Sequence, residues 1–273
     1  MLIPRILTAI VLLGITVPAI FLAPHWVWGA FSLAFLAVAA WEWSALIGQR
    51  AHALRAALLL LGAGVGLLWA REREWLSLVQ VAPLVVIAAG FWVGLAGVRL
   101  HRHQSRGGGW PLAALLLLAC WLSLYELRRL GPEVLVTAMA IVWVADVGAY
   151  FAGKAFGRRR LAPQISPGKS WEGAIAGAVL VILLGALAAL HDGLAAALPA
   201  RMFEHWGAFF CSMALGGLVA LSIVGDLYES LLKRQAGVKD SGKSLPGHGG
   251  VLDRIDALLP TMPVVLLIHL MLR

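Results

Sequence analysis

Apolar residues in this 273-residue chain run in long unbroken blocks separated by short polar connections. A helix needs roughly 20 apolar residues to cross a bilayer. The blocks at about 2–22, 26–47, 54–70, 75–97, 110–127, 132–153, 171–190, 207–230 and 257–272 therefore predict nine transmembrane helices. The third block is short and glycine-rich (Gly62, Gly64, Gly66) and the last is also short, so eight spans is the alternative. Arg5 followed by the run Ile6–Leu22 has the outline of a signal peptide. Its length and the block that follows almost at once favour a retained first span. Trp26, Trp28, Trp41, Trp43, Trp75, Trp110 and Trp206 fall near span ends, where indole rings favour the headgroup level.

Composition agrees with this pattern. The chain is 61% hydrophobic and 13% charged, with a mean hydropathy of +0.86; soluble domains carry about 25% charged residues. The reading is an all-α polytopic integral membrane protein, a single membrane domain with no soluble stretch long enough to fold alone. Cys120 and Cys211 each sit inside an apolar run and read as packing residues, not as a disulfide or metal site. The net charge of +8 is spread over short loops, which argues against nucleic-acid binding and for anionic lipid headgroups. With nine spans and a cytoplasmic N-terminus, sixteen Lys and Arg residues lie inside and six outside. The positive-inside rule thus predicts N-in and C-out. The two longest polar loops, 154–170 and 231–256, then share the cytoplasmic side.

Polar residues are sparse within the spans of 1–130, so those helices are expected to serve support, dimer or lipid contacts. Residues 131–273 form the expected catalytic region. Glu42, between Trp41 and Trp43 near a span end, reads as a headgroup-level carboxylate. Asp146, Glu172 and Asp226 lie in or at the ends of apolar spans. A charge in hydrocarbon costs at least about 2.5 kcal/mol, so such residues pair, bind ions or line a wet cavity.

The densest polar constellation is GDLYESLLKRQAGVKDSGKSLPGHGGVLDRID, from Gly225 to Asp256. Asp226, Glu229 and Ser230 have i, i+3, i+4 spacing and share a helix face, with Lys233 one turn further. Asp253 and Asp256 face one way if they begin the last helix. Between these groups Pro246, Gly247, Gly249 and Gly250 forbid a regular helix, and glycines let backbone N–H groups approach an anion closely. Several carboxylates suit a hard cation such as Mg²⁺, and surrounding lysines and arginines suit phosphate oxygens. His248, between glycines, suits a hydrogen bond to substrate or loop. Gly237–Ser244 formally satisfies the Walker A spacing but follows a span and meets Pro246, without the strand and helix that motif needs.

The second polar stretch, DVGAYFAGKAFGRRRLAPQISPGKSWEG from Asp146 to Gly173, carries an arginine cluster that marks topology. Ser166 and Pro167 read as a helix-entry turn, and Lys169 as a movable point charge for phosphate.

The segment SLLKRQAGVKDSGKSLPGHGGVLDRID closely resembles the signature of phosphatidate cytidylyltransferases. The resemblance extends through GDL-x-ES, ISPGKSWEG and DVGAYFAG in matching order; Lys243 and Ser244 stand at variable positions, and the N-terminal spans match only in general character. It implies that CTP and phosphatidate give CDP-diacylglycerol and pyrophosphate for phospholipid synthesis, with Mg²⁺ and a possible second cation. It further implies a multi-helix membrane fold that forms a homodimer; a bacterial inner membrane is the expected location, and the loop charges place the active site on its cytoplasmic side. Asp226 and Asp253 resemble the principal metal ligands, with Asp256, Asp146 and Glu172 as further candidates. Lys169, Lys233 and Arg234 complete the expected catalytic set. Ser166, Ser170, Ser230, Lys239, Asp240, His248, Gly249, Gly250 and Arg254 are expected to contact substrate. The alternatives are an enzyme of the same broad chemistry that activates dolichol or phytol phosphate with CTP, and a transporter. Transporters often place broken helices in two related halves, unlike the polar-poor first half and motif-dense second half here.

Overall fold

The computed structural model describes the backbone of residues 3–272 and the side chains from Leu7 onward. Arg5 and Arg273, counted in the charge balance, lie outside the described side chains. The chain is almost entirely helical: α1 (Ile3–Phe21), α2 (His25–Leu46), α3 (Ala53–Glu72), α4 (Leu78–Gly90), α5 (Ala96–His101), α6 (Gly109–Leu130), α7 (Pro132–Phe156), α8 (Trp171–Ala189), α9 (Leu198–Gln235), α10 (Leu252–Ile255) and α11 (Leu258–Met271). Among the described residues eight helical stretches are long and apolar enough to span a bilayer, and Leu7–Phe21 is a shorter ninth apolar helix. The eight-span alternative is thus met, with the first block as the short one. The third and last blocks extend instead to full spans, Arg50–Glu72 and Leu252–Met271.

Two spans are irregular. A π-helical turn at Phe91–Leu95 joins α4 to α5. Gly207, at φ 73°, breaks α9 between a short entry segment and the span proper.

One hydrophobic core runs from Ala19 to Leu272 and draws on helices of both halves. Trp28 and Trp43 belong to it, each 3% exposed, whereas Trp26, Trp41 and Trp75 are open. The expectation of a tryptophan belt therefore fails for Trp28 and Trp43. The Trp28 indole donates to the Leu124 carbonyl, and Trp43 packs on Tyr228, so both indoles find partners inside the bundle. Small residues set the α7–α8 contact. A methyl at Gly177 would sit 2.6 Å from the Ala145 carbonyl, and one at Gly173 would sit 2.7 Å from that of Ala149. Close backbone approach through glycine is a general packing device in lipid.

A two-stranded antiparallel hairpin, β1 (Arg160–Ala162) and β2 (Ser166–Ser170), lies between α7 and α8. Ser166 and Pro167 therefore begin a strand, not a helix-entry turn. The cap of α8 is Ser170, whose Oγ accepts from Gly173 N at 3.2 Å. Ile165 at the hairpin tip packs on Leu227 and Leu231 of α9, an apolar anchor that residue spacing alone did not reveal. The hairpin, the 102–108 loop and the loop after α9 all meet at the C-terminal end of α9. Arg234 Nε donates to Ile165 O at 3.2 Å, and Tyr228 OH to Ser105 O at 2.7 Å.

Candidate functional site

At this end a cavity of about 470 Å³ opens between α7, β2, α8 and α9. Its polar lining is Asp146 and Tyr150 from α7, Ser166, Lys169 and Ser170 from the hairpin, and Ser222 and Asp226 from α9; its remaining walls are apolar. The hairpin loop and the α9 segment that ends at Asp226 thus build a common pocket.

Within it the Lys169 ammonium lies 2.6 Å from Asp226 Oδ2, with the two side chains 24% and 30% exposed. Ser230, one turn along α9, donates to Asp226 Oδ1 at 3.2 Å. Asp146 and Asp256 both lie within electrostatic reach of Asp226 and Lys169. Three carboxylates therefore share one ammonium.

A second cluster lies deeper on α9. Lys233 Nζ is 2.6 Å from Asp253 Oδ1 and also pairs with Glu229, one turn earlier. These side chains are 12%, 8% and 3% exposed respectively. Asp253 Oδ2 accepts from Ser241 N at 3.0 Å, Ser241 Oγ at 3.0 Å and Gly250 N at 2.8 Å. Asp253 and Asp256 have separate partners: Asp256 Oδ1 accepts from Ala257 N at 2.8 Å. Gly225 lets α9 approach this turn, since a methyl there would collide with the Asp256 carbonyl oxygen.

The loop residues fall into two groups. Lys239, Asp240 and Lys243 are exposed. Arg254 is occupied in shaping the loop, donating to His248 O from Nε at 3.2 Å and Nη2 at 2.6 Å. Gly249 has φ 86°, and a methyl there would lie 2.8 Å from Asp253 Oδ2, so glycine serves both backbone and carboxylate. Glu172 is not drawn into the carboxylate cluster. Its oxygens accept from Arg158 N and Arg159 N at 3.1–3.2 Å and tie the loop before β1 to α8. The Gly237–Ser244 stretch follows helix α9 and runs into turns, without the strand and helix of a P-loop.

The residue that spacing missed is Glu42. It is 3% exposed, and its carboxylate accepts from Ser241 Oγ, Ser244 Oγ, Val251 N and Leu252 N at 2.7–3.1 Å. It is an interior anchor of the glycine-rich loop, not a headgroup-level carboxylate. The available signal was its isolation: it is the only acidic residue before Glu72, in the middle of an apolar block.

Every candidate ligand here is a carboxylate or hydroxyl oxygen, the donor chemistry that suits Mg²⁺. The two lysines mark where the acidic groups demand positive charge. Among the described residues no three acidic, His or Cys side chains converge closely enough to hold a metal as they stand. Donor type therefore fits a hard cation, while the present spacing favours the lysines.

The sequence model of the cytidylyltransferase family matches residues 3–272. The chain belongs to that family. It is 40% identical over 269 residues to a phosphatidate cytidylyltransferase of Pseudomonas aeruginosa, covering 95% of this chain and 94% of the relative. It is 37% identical over 284 residues to one of Haemophilus influenzae, covering 95% of each. A Brucella suis phosphatidate cytidylyltransferase is 38% identical over 263 residues, 93% of this chain and 88% of the relative. Family membership thus spans all the helices, including the N-terminal ones.

Proposed function

We propose that this protein transfers the cytidylyl group of CTP to phosphatidate, giving CDP-diacylglycerol and pyrophosphate. The named relatives support the substrates, and one structural observation carries the site: Asp226 and Asp253, on separate helices, each pair with a lysine at the same end of the bundle.

The reaction joins two polyanions. A phosphatidate oxygen attacks the α-phosphorus of CTP, the bond from that phosphorus to the bridging oxygen breaks, and pyrophosphate leaves. The lipid phosphate is already ionised, so the chain need supply no strong general base. Its work is positioning and charge neutralisation. The ammonium of Lys169, open to the cavity, meets a phosphate oxygen and gives up Asp226 as it does so. Lys239 and Lys243 on the exposed loop and Arg234 beside the hairpin hold the triphosphate and the departing pyrophosphate. Lys233 keeps Asp253 and Glu229 neutralised within the protein. A divalent cation held by Asp226 and Asp253, with Asp146 and Asp256 nearby, would neutralise phosphate charge when bound. Glu172 is better suited to its structural role.

The apolar walls of the cavity suit a lipid whose tails stay in the membrane, while the polar end receives the nucleotide. We place this end at the cytoplasmic face of a bacterial inner membrane, as the loop charges favour. We further propose a homodimer, on the strength of the family resemblance.

The decisive assay uses purified protein in phospholipid nanodiscs with phosphatidate, Mg²⁺ and each of the four NTPs. Formation of CDP-diacylglycerol and pyrophosphate with CTP alone is expected. Absence of product, or equal use of all four nucleotides, would refute the assignment. Omitting the divalent cation tests its role, and labelling of single cysteines in the 102–108 loop from either side tests the orientation.

A further inference from the structure

The glycine-rich loop is held from an unexpected quarter. Glu42 lies one turn before the end of α2, about 200 residues from the loop in sequence. Its Oε2 accepts from Ser241 Oγ at 3.0 Å and Leu252 N at 2.8 Å. Its Oε1 accepts from Ser244 Oγ at 2.7 Å and Val251 N at 3.1 Å. A carboxylate offers about four lone-pair sites, so this one is saturated. All four donors are neutral, and Glu42 forms no ion pair among the described residues. Burying an isolated charge is costly unless oriented donors compensate it, and here the loop supplies them.

Two consequences follow for the site. Because Glu42 takes only neutral groups, the loop is anchored without consuming Lys239 or Lys243. Ser241 Oγ, moreover, lies 3.0 Å from both Glu42 Oε2 and Asp253 Oδ2. A hydroxyl carries one hydrogen, so Ser241 bridges the two carboxylates and donates to one at a time. The fit is tight: a methyl at Gly250 would lie 2.5 Å from Glu42 Oε2, and one at Gly242 would collide with Oε1. Those glycines accommodate the Glu42 carboxylate.

We propose that Glu42 is a positioning residue for cytidylyl transfer, acting through Ser241 and the Val251–Leu252 amides to hold Asp253 and the basic loop in working geometry. The inference rests on the reading of Asp253 as a site residue. It assigns part of the catalytic apparatus to the N-terminal helices.

The isosteric change Glu42→Gln tests it. Whichever way the amide turns, its NH₂ faces one backbone N–H, of Val251 or Leu252, that it cannot accept from, while the serine hydroxyl on that side can turn to accept, so the anchor is weakened without a cavity. Displacing a reacting group by about 1 Å can cost on the order of 100-fold in rate. The expected result is a kcat loss of that order with the KM for phosphatidate unchanged. Hydrogen exchange should speed up in residues 241–252 while α6 stays protected. Glu42→Asp, which keeps the charge, should recover part of the rate. Ser241→Ala removes the hydroxyl shared by Glu42 and Asp253 but keeps the Ser241 N–H on Asp253, and should lower kcat with only a small fall in melting temperature; this variant decides the matter if Glu42→Gln fails to fold. Near-normal turnover in both Glu42→Gln and Ser241→Ala would overturn the proposal. So would activity falling only in step with the amount of folded protein. Wild-type protein that makes no CDP-diacylglycerol would instead sink the enzymatic reading itself.

Discussion

The two ends of the helix bundle both bury ion pairs, but they build them differently. At the end away from the cavity, Arg71 of α3 grips Glu126 of α6 through Nε at 2.6 Å and Nη2 at 3.0 Å, and its Nη1 donates to Leu76 O. Tyr125 OH donates to Glu72 Oε1 at 2.5 Å, and Arg128 Nη2 to Ala23 O at 3.1 Å. The Arg71 and Glu126 side chains are only 8% and 5% exposed. At the cavity end the ion-paired cations are lysines: Lys233 is shared between Glu229 and Asp253, and the Lys169–Asp226 pair stands open. A guanidinium is a rigid fork that locks a carboxylate; an ammonium is a point charge that can change partners. The first arrangement closes a structure, and the second leaves charge to be exchanged with a ligand.

That contrast can be broken or sharpened by substitution. The largest effect is expected at the closed end. Arg71→Ala strands Glu126 in the interior, with Arg129 3.8 Å away as partial relief, and should cost about 3–5 kcal/mol of stability. A denaturant titration in mixed micelles would show it, while kcat per folded molecule stays at the wild-type value. Next comes Asp253→Asn. Lys233 keeps Glu229 as a partner, so the bundle should remain folded while turnover falls by about 100- to 1000-fold, the loss typical of removing one transition-state contact. Membrane insertion and melting temperature, measured alongside product formation, separate the two effects. Gly225→Ala should be milder. Its methyl would collide with the Asp256 carbonyl oxygen and press on Pro260 at 2.7 Å, and should cost about 1–3 kcal/mol, as overpacking does; the melting temperature reports it. The smallest change in stability belongs to Lys169→Ala, at most about 1 kcal/mol for so open a pair. The same variant should nevertheless lose CTP-dependent turnover. A large stability loss with normal turnover would place Lys169 with the structural cations of the far end.

Sequence reading and structure part company at identifiable residues. Hydrophobic length located the helices to within a few residues because exclusion of water is a local, additive property. It misjudged Trp28 and Trp43, since position along a span does not say whether a side chain faces lipid or a neighbouring helix. Ser166 was misplaced because a strand of five residues paired over a short turn leaves little periodic trace. Asp146 and Asp226 were legible as carboxylates in apolar spans, Lys169 as a point charge in a polar loop and Ser170 through the family motif, and the cavity unites all four. Glu172 carried the same signal yet serves the backbone of the preceding loop.

What the amino-acid order alone determined was the class of molecule, the helices and the concentration of phosphate-handling chemistry in the second half of the chain. Each follows from composition within a window of one span or one loop. Only the tertiary structure decided which lysine pairs with which aspartate, and that a glutamate in the second helix anchors the loop beside Asp253. Those are contacts between residues as far as 210 apart in the chain, and no local pattern encodes a partner that distant.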